Sequence, residues 1–203
     1  AVAAVNVDAW HATYRGIMTA GRLAAPAVLG IRTRQGKEIA ARRNERYGIA
    51  SAARPAGQLV WFHAASVGET NAVLPVIDEM TRARPALQFL LTTGTVTSAK
   101  LAAERLGPNA RHQFAPLDVP SYVKSFLDHW RPDLGVFVES EIWPNLILES
   151  AYAKIPLALV NARMSKRSFR RWRGRRGLAE PLFGRLDLVL SQNSHFARQY
   201  LEL

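Results

Sequence analysis

Strand-like and helix-like segments alternate along this chain from residue 58 onward, and this order is the strongest constraint on its fold. Short runs rich in β-branched and aromatic residues are typical of buried strands, whereas apolar residues spaced three or four apart are typical of amphipathic helices. Because strands joined by helices pair in parallel, the pattern predicts an α/β protein with a doubly wound parallel sheet covered on both faces. The predicted strands are 58–63, 88–92, 135–139, 156–160 and 186–191, with a weaker one at 111–114. The predicted helices are 69–83, 98–106, 121–130, 145–153, 168–183 and 194–201.

Charge and cysteine content narrow the possible partners. The chain carries 27 Lys and Arg against 16 Asp and Glu, a formal charge of +11, which predicts a polyanionic partner: nucleic acid, an anionic membrane surface or a phosphorylated substrate. It has no cysteine, which excludes disulfides and thiolate metal sites, and its five histidines show no ligand spacing. No metal site is therefore predicted.

The amino-terminal residues 1–46 differ from the rest of the chain. A weakly apolar stretch at 17–31 contains Arg22 and is shorter than the roughly 20 residues that span a bilayer. Trp10 and Tyr14 precede it and a cationic stretch at 32–46 follows it, which is typical of a segment lying in a membrane interface. An ordinary packed helix explains the same pattern. We divide the chain into a helical, basic, membrane-associating segment at 1–46 and an α/β domain at 47–203.

Polar loops follow the predicted strands, and in parallel sheets ligands bind at that edge. The loop after the first strand holds Ser66 and Glu69, in the Ser-x-x-Glu spacing of a capping box. The same position in the first helical turn favours a charged carboxylate, which can accept a proton from a substrate hydroxyl. Glu69 is thus predicted to be a helix cap, a general base, or both.

Three further loops should lie at the same edge. The threonine-rich turn at 92–97 offers hydroxyls and N–H groups for a phosphate, a carboxylate or sugar hydroxyls, or serves only to cap the next helix. Glu139 and Glu141 are close enough to need a cationic partner, and Arg163 is the candidate. From 163 to 176, eight of fourteen residues are Lys or Arg. This run predicts binding of phosphates; the alternative is a solvated surface without a ligand.

These motifs taken together resemble the amino-terminal half of the 3-deoxy-D-manno-octulosonic acid (Kdo) transferases, from about Arg42 to the end of the chain. The matching segments are HAASVGET at 63–70, TTGTVT at 92–97, PLD at 116–118, ESEIWPN at 139–145 and NARMSKRS at 161–168. The resemblance implies a Rossmann-like domain of a GT-B glycosyltransferase, an inverting enzyme that transfers Kdo from CMP-Kdo to lipid IVA in lipopolysaccharide synthesis. It implies no cofactor and no catalytic metal.

The resemblance also implies roles for individual residues. Glu69 matches the family's general base, and either Glu139 or Glu141 matches a functionally important carboxylate. The predicted acceptor-binding or supporting residues are Ser66, Gly68, Thr93, Thr95, Glu139, Glu141, Asn161, Arg163, Lys166, Arg167 and Ser168. The resemblance implies a second domain that supplies most of the contacts to the nucleotide; it is absent from this sequence, so the chain alone is expected to be inactive.

The expected location is the cytoplasmic face of the bacterial inner membrane, with lipid IVA and the anionic membrane surface as partners. Two alternatives from other classes are a nucleic-acid-binding module that uses the arginine-rich segment and a non-catalytic α/β module on a membrane surface. Nucleic acid is not expected, because carboxylates cluster at the strand ends, where they would repel phosphates.

Overall fold

A single parallel sheet organises the protein. The computed structural model describes residues 2–140 and 142–203, with side chains from Trp10 onward. In these residues six strands pair in the order β3-β2-β1-β4-β5-β6, every neighbouring pair being parallel. This order confirms the predicted doubly wound, Rossmann-like sheet, and it reverses between β1 and β4, where such sheets form a ligand crevice. The strands are β1 Leu59–His63, β2 Gln88–Thr93, β3 Ala110–Phe114, β4 Leu134–Val138, β5 Leu157–Ala162 and β6 Leu188–Ser191.

Helices connect the strands and cover both faces of the sheet. They are α3 Val67–Ala83, α4 Val96–Arg105, α5 Pro120–Trp130, α6 Pro144–Tyr152, α7 Lys166–Arg173, α8 Arg176–Phe183 and α9 Ser194–Leu201. The prediction of one helix over 168–183 was wrong, because α7 ends at Arg173 with Gly174 as its C-cap, and the backbone of Arg175 leaves the helical region with φ −133° and ψ 49°. Glycine is among the poorest helix formers, and here it permits the break.

The core has two halves, one on each face of the sheet. Trp61 and Phe137 pack on one face with Phe126 and Trp130 of α5, while Val60 belongs to the cluster on the other face. Successive residues of β1 therefore point into opposite halves of the core, and all five are buried. This explains why the strand reads as a continuous apolar run rather than as an alternation of polar and apolar residues.

Two helices and a 3₁₀ helix precede the sheet: α1 Val2–Gly21, α2 Ala25–Arg34 and the 3₁₀ helix Ala40–Tyr47. The apolar stretch at 17–31 is divided by a turn after Gly21, so it is not one continuous helix. Among the described residues, none of the helices has the length and hydropathy needed to cross a membrane. Leu29 of α2 is buried. Ile31 of α2 and Leu23, which precedes the helix, are exposed.

The cationic stretch 32–46 is only partly a surface feature, which corrects the expectation that it faces anionic headgroups throughout. Arg46 is 5% exposed and forms a bidentate ion pair with Glu38, while Arg42 pairs with the buried Glu45. Gly48 ends the 3₁₀ helix with φ 77°, and a Cβ there would meet the carbonyl oxygen of Tyr122 at 1.9 Å. The 3₁₀ helix is thus packed tightly against the domain that follows it.

Candidate functional site

The loops that follow β1 and β2 touch at the carboxyl edge of the sheet. The amide of Gly94, just after β2, donates a 3.0 Å hydrogen bond to the carbonyl of Ala65, just after β1. A Cβ at Gly94 would lie 2.9 Å from that carbonyl oxygen, so only glycine allows this approach without displacement. The loop after β4 joins them, because the rings of His63 and Trp143 lie 6.3 Å apart in an edge-to-face arrangement.

Glu69 lies in the first turn of α3 and is 6% exposed. One carboxylate oxygen accepts a 2.7 Å hydrogen bond from the amide of Ala65, and the other accepts a 2.9 Å bond from the hydroxyl of Ser66. Ser66 is the N-cap of the helix and accepts a 3.3 Å bond from the Glu69 amide. The capping interaction is therefore present. A carboxylate has about four acceptor sites, so two hydrogen bonds leave capacity for a substrate hydroxyl. Gly68, which lies between Ser66 and Glu69 in the sequence, is exposed.

The two threonines predicted after β2 have different environments. Thr95 is exposed and caps α4, accepting a 3.1 Å hydrogen bond from the Ser98 amide. Thr93 is fully buried, with its hydroxyl 2.9 Å from Nε2 of His112. Since the Arg42 guanidinium donates to Nδ1 of His112, the neutral ring carries its proton on Nε2 and donates to Thr93. Thr95 is therefore accessible at the carboxyl edge of the sheet, whereas Thr93 is buried and bound to His112.

The ion pair predicted after β4 is present for one of the two carboxylates. Arg163 donates a 2.8 Å hydrogen bond from Nε to Glu139, and Glu141 lies outside the described residues. Asn161 approaches the other Glu139 oxygen at 3.5 Å. Glu139 and Asn161 have φ of 60° and 53°, a left-handed conformation that is uncommon outside glycine and often marks functional sites.

The remaining predicted residues lie on α7. Ser168 donates its amide to the N-cap Ser165 at 3.1 Å, and Lys166 and Arg167 are exposed. Phe169 and Trp172 are only partly buried, where they pack against a small cluster of Met164, Ala179 and Phe183. Within the described part of the chain, no carboxylate lies within ion-pair distance of Lys166 or Arg167. The cationic face of α7 is thus open to an anionic partner.

Asp118 is a component of the site to which sequence analysis assigned no role. Its carboxylate is 2% exposed and accepts the amides of Asn145 and Leu146, at 3.1 and 2.8 Å, in the first turn of α6. Burial raises the pKa of Asp118, and its hydrogen bonds oppose that shift. The sequence signal is indirect: α6 begins at Pro144 with no cap of its own, so a distant acceptor has to satisfy its amides.

A cavity of about 380 Å³ lies between α2 and these loops. Its apolar walls include Val28, Leu29, Leu117 and Leu146, while Ala65, Thr95 and Trp143 line it from the loops that follow the strands. The charged residues that reach it are already engaged: Arg46 and Arg32 with Glu38, and Asp118 with the α6 amides.

His63, which also lines the cavity, is neutral. Burial and then the nearby Arg46 charge lower its pKa to about 3, and its Nδ1 lies 3.0 Å from the hydroxyl of Thr92. The cavity thus combines an apolar interior with a polar edge beside the loop that carries Glu69. In the described part of the chain, no three His, Asp or Glu side chains come together as a metal ion would require.

Comparisons with known proteins identify relatives of this chain. Residues 41–203 match the family model described as 3-deoxy-D-manno-octulosonic-acid transferase (kdotransferase). A probable mitochondrial 3-deoxy-D-manno-octulosonic acid transferase of Arabidopsis thaliana is 46% identical over 138 residues, which cover 68% of this chain and 31% of that protein.

Two bacterial relatives carry the name 3-deoxy-D-manno-octulosonic acid transferase. The protein of Rickettsia bellii is 39% identical over 176 residues, covering 87% of this chain and 42% of the relative. The protein of Haemophilus influenzae is 28% identical over 195 residues, covering 96% of this chain and 46% of the relative. The chain therefore spans less than half the length of the curated relatives it matches.

Proposed function

Because the chain belongs to the 3-deoxy-D-manno-octulosonic-acid transferase family, we propose that it is the acceptor-binding half of an inverting GT-B glycosyltransferase that moves Kdo from CMP-Kdo to lipid IVA. The observation that carries this proposal is the setting of Glu69. Its carboxylate lies in the first turn of α3, at the edge where doubly wound sheets bind ligands, held by Ala65 and Ser66 with acceptor capacity to spare.

The proposed chemistry is a single displacement. The attacking hydroxyl of the acceptor sugar gives its proton to Glu69 as its oxygen bonds to the anomeric carbon of Kdo. The bond from that carbon to the CMP phosphate oxygen breaks, and CMP leaves with the electron pair. Attack on the face opposite CMP inverts the anomeric configuration. A positioned general base contributes about 10²–10⁴-fold to such a step.

The acceptor's two chemical parts match two features of the site. The apolar walls of the cavity, which include Leu29 and Leu146, suit part of a hydrocarbon chain, and its internal charges are already paired. Arg163, Lys166 and Arg167 stand at the carboxyl end of β5 and the start of α7, where they suit the acceptor's phosphates.

The membrane partner is proposed from the outer surface around α2. Leu23 and Ile31 are 84% and 54% exposed, and Arg22, Arg34 and Lys37 are exposed near them. Apolar side chains bordered by cations suit an anionic bilayer surface, and we assign this one to the cytoplasmic face of the bacterial inner membrane. Peripheral binding there would bring the cavity close to a lipid acceptor.

A transfer assay tests the proposal. CMP-Kdo and lipid IVA are incubated with the full-length protein and, separately, with residues 1–203, and the product is measured by mass spectrometry. We expect product from the full-length protein only, with or without a chelator, because donor and acceptor must be held within reacting distance by two domains. Steady turnover by residues 1–203 alone contradicts the proposal that donor and acceptor are held by two separate domains. Absence of product from the full-length protein contradicts the activity.

A further inference from the structure

The guanidinium of Arg46 is buried beneath the loops that form the site. It pairs with Glu38 through Nε at 2.9 Å, and one terminal nitrogen donates 3.1 Å to the carbonyl of Ala115, just after β3. The other terminal nitrogen donates 2.7 Å to the carbonyl of Gly94, just after β2. The guanidinium carbon also lies 4.5 Å from the ring centre of Phe114. This planar fork is therefore fixed in position by an ion pair, two loops and an aromatic ring.

The contact with Gly94 continues to the next loop. The Gly94 amide donates 3.0 Å to the carbonyl of Ala65, and the Ala65 amide donates 2.7 Å to the carboxylate of Glu69. Three hydrogen bonds thus connect the guanidinium to the carboxylate through two loop residues. No direct contact between Arg46 and Glu69 is needed for one to set the position of the other.

We propose that Arg46 is a positioning residue that holds the β1 and β2 loops in the arrangement that orients Glu69. The inference rests on the proposed role of Glu69 as the base. If the guanidinium is lost, the Gly94 carbonyl loses its donor, and the Gly94 backbone is free to move away from Ala65. The Ala65 amide then no longer fixes the carboxylate oxygen. A displacement of about 1 Å at a reacting group is enough to lower a rate by about 10²-fold.

Lysine cannot replace arginine here. Its ammonium carries the charge but lacks the planar fork, so it cannot reach Glu38, Gly94 and Ala115 together in the observed geometry. The conservative variant Arg46→Lys therefore tests the geometry while it retains the charge. Gly94→Ala tests the next link with Arg46 intact, because the added Cβ would press on the Ala65 carbonyl.

Arg54 offers a matched control at the opposite edge of the sheet. Its Nε donates 2.7 Å to the carbonyl of Trp130, and its terminal nitrogen lies 3.5 Å from the carboxylate of Asp133. Asp133 in turn accepts the amide of Leu59, at the amino end of β1. Arg54→Lys therefore disturbs an arginine that joins backbone carbonyls to a carboxylate, far from the loops that carry Glu69.

The experiment measures amide hydrogen exchange by NMR in residues 1–203 and kinetics in the full-length protein. In Arg46→Lys and Gly94→Ala, we expect exchange of the Ala65 amide to accelerate at least about tenfold, since its opening becomes local rather than global. Exchange of the Phe89 amide, paired inside the sheet, should stay near its original rate. The kcat should fall about 10-fold to 10²-fold with KM for CMP-Kdo little changed. Arg54→Lys should change neither readout.

Two results overturn the proposal. One is equal acceleration of the Ala65 and Phe89 amides in the Arg46 and Gly94 variants, which is the signature of general destabilisation. The other is a normal kcat in both variants although Glu69→Gln is inactive. The proposed function fails separately: if Glu69→Gln keeps full activity, Glu69 is not the base. The Ala65 amide still reports whether Arg46 holds the loops.

Discussion

The hydroxyl of Tyr14, in α1, donates a 2.8 Å hydrogen bond to the buried carboxylate of Asp118, which also receives the first amides of α6. One side chain thus ties an amino-terminal helix to the loop after β3 and to the start of α6. Burial and then the Asp118 charge raise the pKa of Tyr14, so its hydroxyl stays protonated and remains a donor at neutral pH. The Tyr14–Asp118 contact fixes α1 at the edge of the sheet that carries the site.

Replacing Tyr14 by Phe should therefore lower the free energy of unfolding by about 1.5–3 kcal/mol, the range for a hydrogen bond to a charged group. Because this bond opposes the burial-induced rise in the pKa of Asp118, that pKa should rise further in the variant. Urea unfolding measures the first effect, and NMR titration of the carboxyl carbon measures the second. Tyr152→Phe, at an exposed tyrosine of α6, is the control. Equal stability of the two variants contradicts the assignment.

Catalysis and capping at Glu69 can be separated by a pair of variants. In Glu69→Gln, the amide oxygen can still accept from Ala65 while its NH₂ donates to the Ser66 hydroxyl, so thermal stability should change little. The proton acceptor is lost, and transfer by the full-length protein should fall about 10²–10⁴-fold. Ser66→Ala should lower stability by about 0.5–2 kcal/mol and alter kcat less. If Glu69→Gln turns over normally, the carboxylates after β4 become the candidates for the base.

The buried histidines predict a loss of stability at mildly acidic pH. The ordinary pKa of His112 is 6.5, whereas burial, followed by the charges of Arg42 and Arg46, lowers it to about 3 in the folded protein. As pH falls below 6.5, protons bind the unfolded chain first, so stability is full above that value and declines toward pH 3. The decline is up to about 1.4 kcal/mol per pH unit for each such histidine, and His63 contributes similarly.

The variant His112→Gln isolates one of these contributions. Urea unfolding between pH 7 and 5 should show a shallower decline than in the original protein, because one titrating group is gone. A slope that equals that of the original protein would mean that His112 is protonated equally in the folded and unfolded states.

The surface around α2 should bind anionic bilayers. The double variant Leu23→Ser and Ile31→Ser should reduce co-sedimentation with vesicles that contain phosphatidylglycerol, because two exposed apolar anchors are removed without disturbing the core. Added salt should weaken the residual binding, since the Debye length shrinks below about 8 Å. Val76→Ser, at an exposed apolar residue of α3, should not change binding. Equal binding to neutral and anionic vesicles argues against an electrostatic contribution to bilayer binding.

Filling the cavity should weaken binding of the proposed acceptor and leave binding of the proposed donor unchanged. Val28 lines the cavity, whereas Val76, an exposed residue of α3, does not, so Val28→Phe and Val76→Phe make the same addition inside and outside it. In the full-length protein, Val28→Phe should raise KM for lipid IVA and leave KM for CMP-Kdo unchanged, as expected for a lost binding contact. A rise in KM for both substrates, or an equal effect of Val76→Phe, contradicts a specific role of the cavity.

Local sequence patterns predicted what depends on local physics. The strands were found to within about two residues because each is a short apolar run bounded by turn residues, as at Leu59–His63. The capping relation of Ser66 and Glu69 follows from their spacing, and the pairing of Glu139 with Arg163 follows from adjacent strand ends. These relations involve one turn of helix or one pair of neighbouring strands. They can therefore be predicted from the order of residues and elements along the chain.

Other features depend on contacts between distant segments and have no local signature. The pattern of the cationic stretch is the same whether Arg46 is solvated or buried, because its partners Gly94 and Ala115 are about 50 and 70 residues away. Asp118 lies in the matching segment 116–118, but no local pattern indicates that it accepts the first amides of α6. The cavity exists only because α2 returns over the strand ends, which no periodicity in residues 17–31 encodes.

The position of Trp143 gives the cavity an optical signal of its own. Trp61 and Trp130 are sealed in the core, but Trp143 lines the cavity and is 39% exposed beside His63. In a protein with Trp10 and Trp172 changed to phenylalanine, quenching of fluorescence by acrylamide would come from Trp143 alone. A molecule that enters the cavity would shield that indole from the quencher. Occupancy of the cavity can thus be followed by tryptophan fluorescence, without a label and without turnover.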